Sequence, residues 1–330
     1  MRAVICNSYG PPESLVVEEL SSPVPGAGEV RVAVEAAGVN FPDTLIIEGK
    51  YQHKPALPFS PGAEITGIVD AVGEGVISFK AGDAVLGVIG FGGFAEQAIA
   101  KAEHLLKRPA SMDPVTAAGF AMTYGTSMHA LKQRAALGPG ETLLVLGAGG
   151  GVGLAAVEIG VAMGARVIAA ASSAEKLAIA SAAGASDLID YKQDSLRERL
   201  KDLVGPKGVD VVYDPVGGDL FEQALRSTAW DGRVLVIGFA SGVIPKAPMN
   251  LPLLKGCAIV GVSLGGFRSR HPETNAANFA QLFAWHAEGR IKPHVSLTLP
   301  MSRAGEALTM LGNRSAVGKI VLTMERAGVA

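Results

Sequence analysis

A glycine-rich turn near the middle of the chain constrains the fold more than any other feature. The segment ETLLVLGAGGGVGLAAVEIG, residues 141–160, contains six glycines directly after a run of Leu and Val. A buried strand that ends in such a turn and leads into an apolar helix is typical of the first unit of a dinucleotide-binding sheet. No Gly-Lys-Ser or Gly-Lys-Thr follows the turn, so it is not a P-loop.

The glycines match the G-x-G-x-x-G pattern best over residues 148–153. Ala148 stands at the position of the first Gly, while Gly150 and Gly153 match the other two. Gly150 lets the backbone approach a pyrophosphate, Gly153 lets the helix pack close to the strand, and the helix N-terminus adds partial positive charge. We therefore predict that the phosphates of a dinucleotide bind at Gly150, Gly151, Val152 and Gly153.

The rhythm of the sequence predicts a two-domain α/β protein, since 330 residues are many for one core. Residues 1–120 contain short β-rich segments between turns, and residues 266–330, a helix and a last strand, are assigned to the same β-rich domain. Residues 121–265 alternate strand and helix, which predicts a doubly wound parallel sheet, the Rossmann fold. We place its six strands at TLLVLG, RVIAAA, DLIDY, GVDVVYDPV, GRVLVIGF and CAIVGVSL, with helices at 151–163, 174–183, 195–203 and 219–228.

The end of the second predicted strand indicates which dinucleotide binds. NAD sites usually have an Asp or Glu about 20 residues after the glycines, whereas this chain has Ala171, Ser172 and Ser173 there. No carboxylate repels a 2′-phosphate, two hydroxyls can donate to it, and Lys176 follows one turn later. These residues favour NADPH, with an ordinary surface lysine as the alternative interpretation of Lys176.

Composition excludes several classes of function. The net charge of -2 gives no general attraction for nucleic acid or anionic membrane, and no uncharged apolar stretch is long enough to span a bilayer. The two cysteines lie in separate apolar runs, and the first ten residues lack the apolar segment of a signal peptide. We expect a cytoplasmic protein without disulfides.

Three segments carry a resemblance to a known family. GAGGGVGLAAVEIGVAMGARVIAAASSAEKLAIA is similar to the medium-chain dehydrogenase/reductase superfamily, while AAGVNFPDTLIIEGKY and PGAEITGIVDAVGEGV resemble its zinc-free quinone oxidoreductase branch, to which zeta-crystallin belongs. The resemblance extends from VPGAGEVRVAVEAAGVN to GKIVLTM. It implies a GroES-like, β-rich catalytic domain in addition to the Rossmann domain.

Comparison with the zinc alcohol dehydrogenases of that superfamily predicts that no metal binds. Those enzymes have a Cys in a G-V-C-x-x-D segment and a His in a G-H-E segment, where this chain reads GVNFPD and GAE. Asn40 and Ala63 replace the two ligands, and the third, a Cys, is replaced within FAMTYGT. A catalytic zinc needs about three protein ligands, so the acceptor must take a hydride without a Lewis acid.

The resemblance also assigns roles to particular residues. Asn40 is expected to donate an amide hydrogen bond to the carbonyl oxygen of the acceptor. Asp43 is expected to organise a polar network or to cap a helix in NFPDT, and Tyr51 to donate or relay a proton or else to line a loop. Lys319 is expected to contact the cofactor or to be a solvated lysine at a strand edge. The remaining residues expected to bind cofactor are Thr123, Tyr191, Gly217, Gly238, Phe239, Ser263 and Leu264.

These features favour an NADPH-dependent quinone oxidoreductase. The alternatives are an NADPH-dependent reductase of activated alkenes (an enal, enone, haloacrylate or enoyl-CoA thioester) and a non-catalytic NADPH-binding protein. The apolar last strand, CAIVGVSL, is expected to pair with its copy in a homodimer. No nucleic-acid partner is expected.

Overall fold

The computed structural model describes residues 1–324 and divides the chain into two compact units. The first unit consists of Met1–Met122 together with the segment from Val295 onward, and the second of Thr123–His294. The first boundary lies close to the predicted one at residue 120. The second does not, because residues 266–294 belong to the second unit and not to the β-rich unit.

The first unit is rich in β-strands, as the alternation of turns and β-branched residues predicts, and most of these strands pair antiparallel. The long third strand, β3, pairs with β4 along one side. On its other side, the first half of β3 pairs with β6. A buried core of Val, Ile, Leu and Ala fills the space behind these strands. The elements are β1 Arg2–Ile5, β2 Val16–Glu19, β3 Glu29–Gly38, α1 Phe41–Ile47, β4 Glu64–Val72, β5 Ala84–Val88, β6 Gln97–Lys101, β7 Leu105–Lys107 and α2 Pro114–Ala118.

The second unit is the predicted doubly wound sheet. Within the described residues its six strands are all parallel and lie in the order β10-β9-β8-β11-β12-β13. Strand β8 is buried along its whole length, as expected for a parallel strand covered on both faces. The elements are α3 Ala121–Met128, which crosses the boundary, β8 Thr142–Leu146, α4 Gly151–Ala162, β9 Arg166–Ala171, α5 Ala174–Ala182, β10 Asp187–Asp190, α6 Leu196–Val204, β11 Val209–Asp214, α7 Asp219–Arg226, β12 Thr228–Val236, α8 Asn250–Lys255, β13 Ala258–Gly261, α9 Leu264–Arg270 and α10 Pro272–Ala287.

Helix α10 is the element that the sequence assigned to the wrong unit. Asn278 of this helix exchanges two side-chain hydrogen bonds with Gln133, at 2.9 and 3.0 Å. Phe279 lies against Gly125 so closely that a Cβ on that glycine would be 2.9 Å from the ring. Both contacts hold α10 in the second unit.

The chain then returns to the first unit through β14 Val295–Pro300, α11 Ala304–Gly312 and β15 Lys319–Thr323. Strand β15 is antiparallel to the second half of β3, with Val321 opposite Gly38. Gly38 is also opposite Glu64 of β4. The ends of three strands that are distant in sequence therefore meet in the first unit. None of the helices in residues 1–324 has the length and apolar character needed to cross a membrane.

Candidate functional site

The glycine turn of the second unit joins β8 to α4. Gly147 leaves the strand with a φ of +60°, a conformation that glycine adopts without the cost a side chain adds. A Cβ on Gly153 would lie 2.3 Å from the carbonyl oxygen of Gly147, so α4 packs against the strand end as the motif predicts. A Cβ on Gly150 would approach nothing closer than 3.6 Å. The backbone at Gly150 is thus open to a ligand.

The residues after the next strand lie beside this turn. Ser173 is the N-cap of α5, where its hydroxyl accepts from the backbone N–H of Lys176. The stem of Lys176 lies against the turn, since a Cβ on Gly149 would be 2.3 Å from the Cβ of Lys176. The structure therefore brings Ser173 and Lys176 together with the glycine turn, and Ser172 precedes Ser173 directly.

The other predicted cofactor residues of this unit follow the carboxyl ends of the parallel strands, the edge at which open α/β sheets bind ligands. Tyr191 comes directly after β10 and is half-buried, and Gly217 has a φ of +69°. Ser263 is the N-cap of α9. Thr123 differs from the rest, because it is buried within α3 and follows no strand. The set at the sheet edge is Gly150, Gly151, Val152, Gly153, Ser172, Ser173, Tyr191, Gly217, Gly238, Phe239, Ser263 and Leu264.

The first unit holds a buried polar cluster around Asn40. The side-chain nitrogen of Asn40 donates to the Glu64 carboxylate at 3.0 Å and to the carbonyl oxygen of Gly38 at 3.1 Å. Its side-chain oxygen accepts from the Lys319 ammonium at 2.6 Å. Both amide N–H groups thus have protein acceptors already. The expected role of Asn40 as hydrogen-bond donor to the acceptor's carbonyl is not what this geometry supports, because the amide is committed to the cluster.

Lys319 belongs to this cluster and is not a solvated lysine at a strand edge. It is 5% exposed, and its Nζ lies 2.8 Å from Oε2 of Glu64, whose side chain is fully buried. The position of Lys319 follows from strand pairing, since β15 runs antiparallel to β3 and the N–H of Val39 donates to the carbonyl oxygen of Ile320, next to Lys319, at 3.0 Å. A contact between Lys319 and a cofactor stays a prediction.

Asp43 lies in the first turn of α1 and is 1% exposed. One carboxylate oxygen accepts from the backbone N–H of Asn40 at 2.8 Å and the other from that of Ala63 at 3.0 Å. Burial raises the pKa of Asp43 from 3.8 to about 7, although those two N–H groups and the Lys319 ammonium act in the opposite direction. Of the two roles predicted for Asp43, the helix cap is therefore present, and the carboxyl group titrates near neutral pH.

Tyr51 follows α1 and is half-buried against the core of the first unit. Its pKa is raised above 10.0, first by burial and then by the negative charge of Asp43. The phenol therefore keeps its proton at neutral pH. The charge of Asp43 thus acts on the Tyr51 phenol.

Sequence reasoning missed two buried carboxylates. Glu64 anchors the cluster in the first unit, and Asp214, at the end of β11, accepts from the backbone N–H groups of Val216 and Gly217 at 2.8 Å each. Asp214 thereby shapes the turn that carries Gly217. The available signal was an acidic residue at one end of an apolar strand run, Glu64 at the start of EITGIV and Asp214 at the end of VDVVYD. A charged group in such a place is buried only when it has partners.

The positions at which the zinc alcohol dehydrogenases have a Cys and a His ligand are occupied here by Asn40 and Ala63. Ala63 has no metal-binding atom in its side chain, and Asn40 is committed as described. Among residues 1–324, no group of three or more His, Cys, Asp or Glu is arranged to hold a metal ion. The residue types at these two positions do not fit a catalytic zinc.

Comparison with known proteins places this arrangement in a family. Residues 26–110 match the alcohol dehydrogenase GroES-like domain, and residues 151–282 match the zinc-binding dehydrogenase family. The chain is 41% identical over 329 residues to quinone oxidoreductase-like protein 2 homolog of Nematostella vectensis, covering 98% of this chain and 89% of that protein. It is 32% identical to the quinone oxidoreductase of Homo sapiens, with 98% of both chains covered. The chain belongs to the quinone oxidoreductase branch of the medium-chain dehydrogenase/reductase superfamily.

A solved structure supports the same assignment. The Escherichia coli quinone oxidoreductase, solved in complex with NADPH, has a TM-score of 0.92 and 32% identity, with 98% of this chain and 100% of that chain covered. The GroES-like and Rossmann expectations are therefore confirmed, and the protein is an oxidoreductase of this superfamily with a nicotinamide dinucleotide-binding unit.

The residues of the second unit fit such a cofactor. The N-terminus of α4, a helix of 12 residues, points partial positive charge to the open backbone at Gly150, which suits a pyrophosphate. The serines after β9 and the stem of Lys176 lie where the sugar next to the adenine would be held. The chain would hold the dinucleotide at this edge of the sheet.

Proposed function

We propose that the protein transfers a hydride from NADPH to a quinone. The observation that carries this proposal is the residue set at the family's metal-ligand positions, where Asn40 is tied into a hydrogen-bond network and Ala63 has no ligand atom. A site built from these residues suits an acceptor that needs no Lewis acid, and a quinone takes a hydride readily.

The reaction balances as quinone plus NADPH plus one proton giving hydroquinone plus NADP⁺. NADPH, when bound, supplies the hydride. The residues of this chain must then stabilise the negative oxygen that develops on the acceptor and deliver a proton to it. Tyr51 is the proton donor in this proposal, and the buried Asp43 carboxyl, with its pKa of about 7, holds the proton that replaces the one Tyr51 gives.

The preference for NADPH over NADH belongs to the same proposal. Strand β9 ends in Ala171 and is followed by two serines, so no carboxylate opposes a 2′-phosphate at this position. The Lys176 stem starts at the glycine turn, and its ammonium is the group that we expect to pair with the phosphate. Glu175 is exposed in the first turn of α5, where it complements the helix dipole.

The experiment that tests the function follows nicotinamide absorbance with purified protein and three acceptors in parallel: 1,4-benzoquinone, a 2-alkenal and crotonyl-CoA. We expect turnover to be fastest with the quinone and NADPH, and slower with NADH as the control cofactor. Preference for the alkenal or the thioester would contradict the quinone assignment and identify an alkene reductase. Tight NADPH binding without turnover of any acceptor would indicate a binding protein.

We also propose that the protein is a homodimer of the cytoplasm. Strand β13 is at one end of the six-stranded sheet and pairs only with β12 among the described residues, so its free edge can accept a second copy. Large apolar side chains on the same side of the unit are exposed, including Trp230 at 72% and Leu253 at 80%. Both cysteines are free thiols, which suits a reducing compartment.

A further inference from the structure

The ion pair between Lys319 and Glu64 is deeply buried, and the proposed function gives it no role. The side chains of Lys319 and Glu64 are 6% and 0% exposed, and Nζ and Oε2 are 2.8 Å apart. Glu64 also accepts from the backbone N–H of Met122 through its other oxygen, at 2.8 Å. Both ends of the carboxylate are thus fixed by the protein.

The backbone around the pair leaves room for these two side chains and little else. A Cβ on Gly38 would lie 2.5 Å from Oε2 of Glu64 and 2.1 Å from the carbonyl oxygen of Ala118. A Cβ on Gly119 would lie 2.9 Å from Cγ of Lys319. Two glycines therefore keep the space that the pair occupies.

Stability alone does not account for a buried ion pair. Removing two charges from water costs more than their attraction usually returns, and well-packed apolar residues of similar size are at least as stabilising. A buried pair is better explained when its charges determine the position of another group. Here the neighbouring groups are Asn40 and, through it, Asp43.

Lys319 determines which way the Asn40 amide faces. An ammonium group only donates hydrogen bonds, so the atom of Asn40 that lies 2.6 Å from Nζ must be the oxygen. The amide nitrogen then faces Glu64 and Gly38. The backbone N–H of the same residue donates to the Asp43 carboxylate at 2.8 Å.

We propose that Lys319 is a positioning residue: with Glu64 it fixes Asn40 and thereby holds the Asp43 carboxyl group in the place from which it exchanges a proton during reduction of the acceptor. This inference rests on the proposed function, in which Asp43 and Tyr51 handle that proton. It gives Lys319 a role different from the cofactor contact that the family resemblance implies.

The charged groups that act on Asp43 are Lys319 of β15 and Glu64 of β4, and the charge of Asp43 in turn acts on Tyr51. The Lys319 ammonium lowers the pKa of Asp43, and the Glu64 carboxylate raises it by a smaller amount. Burial, the largest influence, raises that pKa. Loss of the Lys319 charge and loss of burial therefore shift the pKa of Asp43 in opposite directions.

The first test measures this direction by carbon-13 NMR of the side-chain carboxyl of Asp43, assigned with an Asp43→Asn variant, over a pH titration. We expect Lys319→Met to raise the pKa of Asp43 by about one unit or more, Glu64→Gln to lower it, and Lys319→Arg to leave it near the wild-type value. An unchanged pKa of Asp43 in a folded Lys319→Met variant would overturn the proposal.

Lys319→Met leaves the Glu64 carboxylate buried without its partner. Of these variants it is therefore expected to lose the most stability. The double variant Lys319→Met/Glu64→Gln removes both charges and avoids that problem. Because the effect of Lys319 on the pKa of Asp43 exceeds that of Glu64, the double variant is also expected to raise this pKa. An unchanged pKa in the folded double variant would overturn the proposal.

The second test measures turnover with the best acceptor and NADPH affinity in the same variants. We expect kcat of the double variant to fall at least tenfold, its pH profile to shift to higher pH, and the Kd for NADPH to stay within twofold, with activity restored by Lys319→Arg. Arg108→Met is the matched control. It removes another ion pair of this unit, in which the Arg108 guanidinium lies 2.7 Å from the Glu35 carboxylate, and it leaves the contacts of Asn40 in place. An equal loss of kcat in Arg108→Met would contradict a positioning role.

The two tests separate the two proposals. If the wild-type protein reduces none of the acceptors, the proposed function fails, and the NMR titration still decides whether Lys319 governs Asp43. If the wild type reduces a quinone and the titration shows no dependence on Lys319, the positioning role alone fails.

Discussion

Asp43 couples the protonation of one buried carboxyl group to the stability of the fold. Its pKa is about 7 in the folded protein against an ordinary value of 3.8, so between these two pH values the folded state binds a proton that the unfolded state has released. The free energy of unfolding therefore decreases as pH rises through this window, by up to about 1.4 kcal/mol per pH unit from this group.

Asp43→Asn is expected to remove that dependence. Asparagine has one acceptor oxygen for the two backbone N–H groups that Asp43 satisfies, so the variant is less stable by about 1–3 kcal/mol, but its stability changes less with pH. Urea denaturation between about pH 5 and pH 8 measures the slope. Glu74→Gln, an exposed carboxylate of the same unit, is the control and should keep the wild-type slope. An unchanged slope in Asp43→Asn would refute the assignment.

In the function that we propose, the preference for NADPH over NADH depends on Lys176. We expect Lys176→Ala to weaken NADPH binding about tenfold, which is about 1.4 kcal/mol, because it removes the cation that pairs with the 2′-phosphate. NADH binding should stay the same, since NADH lacks that phosphate. Isothermal titration with both cofactors measures the difference, and Lys201→Ala, an exposed lysine of α6, is the control. Equal weakening of both cofactors would argue against a phosphate contact.

Two glycines of the turn between β8 and α4 have different roles. Gly153 keeps helix and strand close, because a Cβ there would lie 2.3 Å from the carbonyl oxygen of Gly147 and 2.9 Å from Cα of Ala148. Gly150 has no such neighbour, so its lack of a side chain matters for what approaches from outside. The packing of α4 against β8 therefore depends on Gly153, and the approach of a ligand to the turn depends on Gly150.

Substitution by alanine tests that separation. Gly153→Ala is expected to lower the free energy of unfolding by about 2 kcal/mol or more, since backbone atoms must move apart. Gly150→Ala is expected to keep its stability and to lose NADPH affinity. Gly265→Ala, in α9 with nothing within 4 Å of the added Cβ, is the control and should change stability by about 1 kcal/mol or less. Thermal unfolding and NADPH titration measure both; equal stability loss in Gly150→Ala and Gly153→Ala would contradict this division of tasks.

At the scale of the whole molecule, the free edge of β13 and the apolar surface beside it determine the assembly that we propose. Trp230 covers Gly256 at the end of α8, and Leu253 and Leu254 of the same helix are exposed. A monomer would leave this surface in water together with an unpaired strand edge. A second copy would cover both.

Leu253→Glu combined with Leu254→Glu is expected to convert the dimer to a monomer, because two carboxylates per chain would be buried in the interface. Light scattering after gel filtration measures the mass, and NADPH affinity checks that the second unit remains folded. The control is Ile77→Glu, which changes a residue of the first unit that is 98% exposed. A double variant that stays dimeric would show that another surface forms the interface.

The first five strands of the second unit and the four helices between them were predictable from the sequence to within a few residues, whereas α8 and α9 were not predicted. The strand RVIAAA and the helix starts at Gly151, Ala174 and Asp219 are where the sequence placed them. Parallel strands buried on both faces are continuous apolar runs, and the glycine turn marks where the first of them ends, so the signals are local. The unit to which α10 belongs was not predictable, because helical periodicity indicates a helix without indicating what that helix packs against.

The sequence by itself thus determined the two kinds of unit, the dinucleotide-binding edge and the candidate residues Asn40, Asp43, Tyr51 and Lys319. Only the tertiary structure decided how those residues are used. Lys319 and Asn40 are 279 positions apart, and they meet because β15 pairs with β3, while Glu64 reaches them from β4. Pairing between distant strands is set by packing of the whole unit and not by local sequence. That is why Lys319, for which the sequence also allowed a solvated position at a strand edge, is a buried cation.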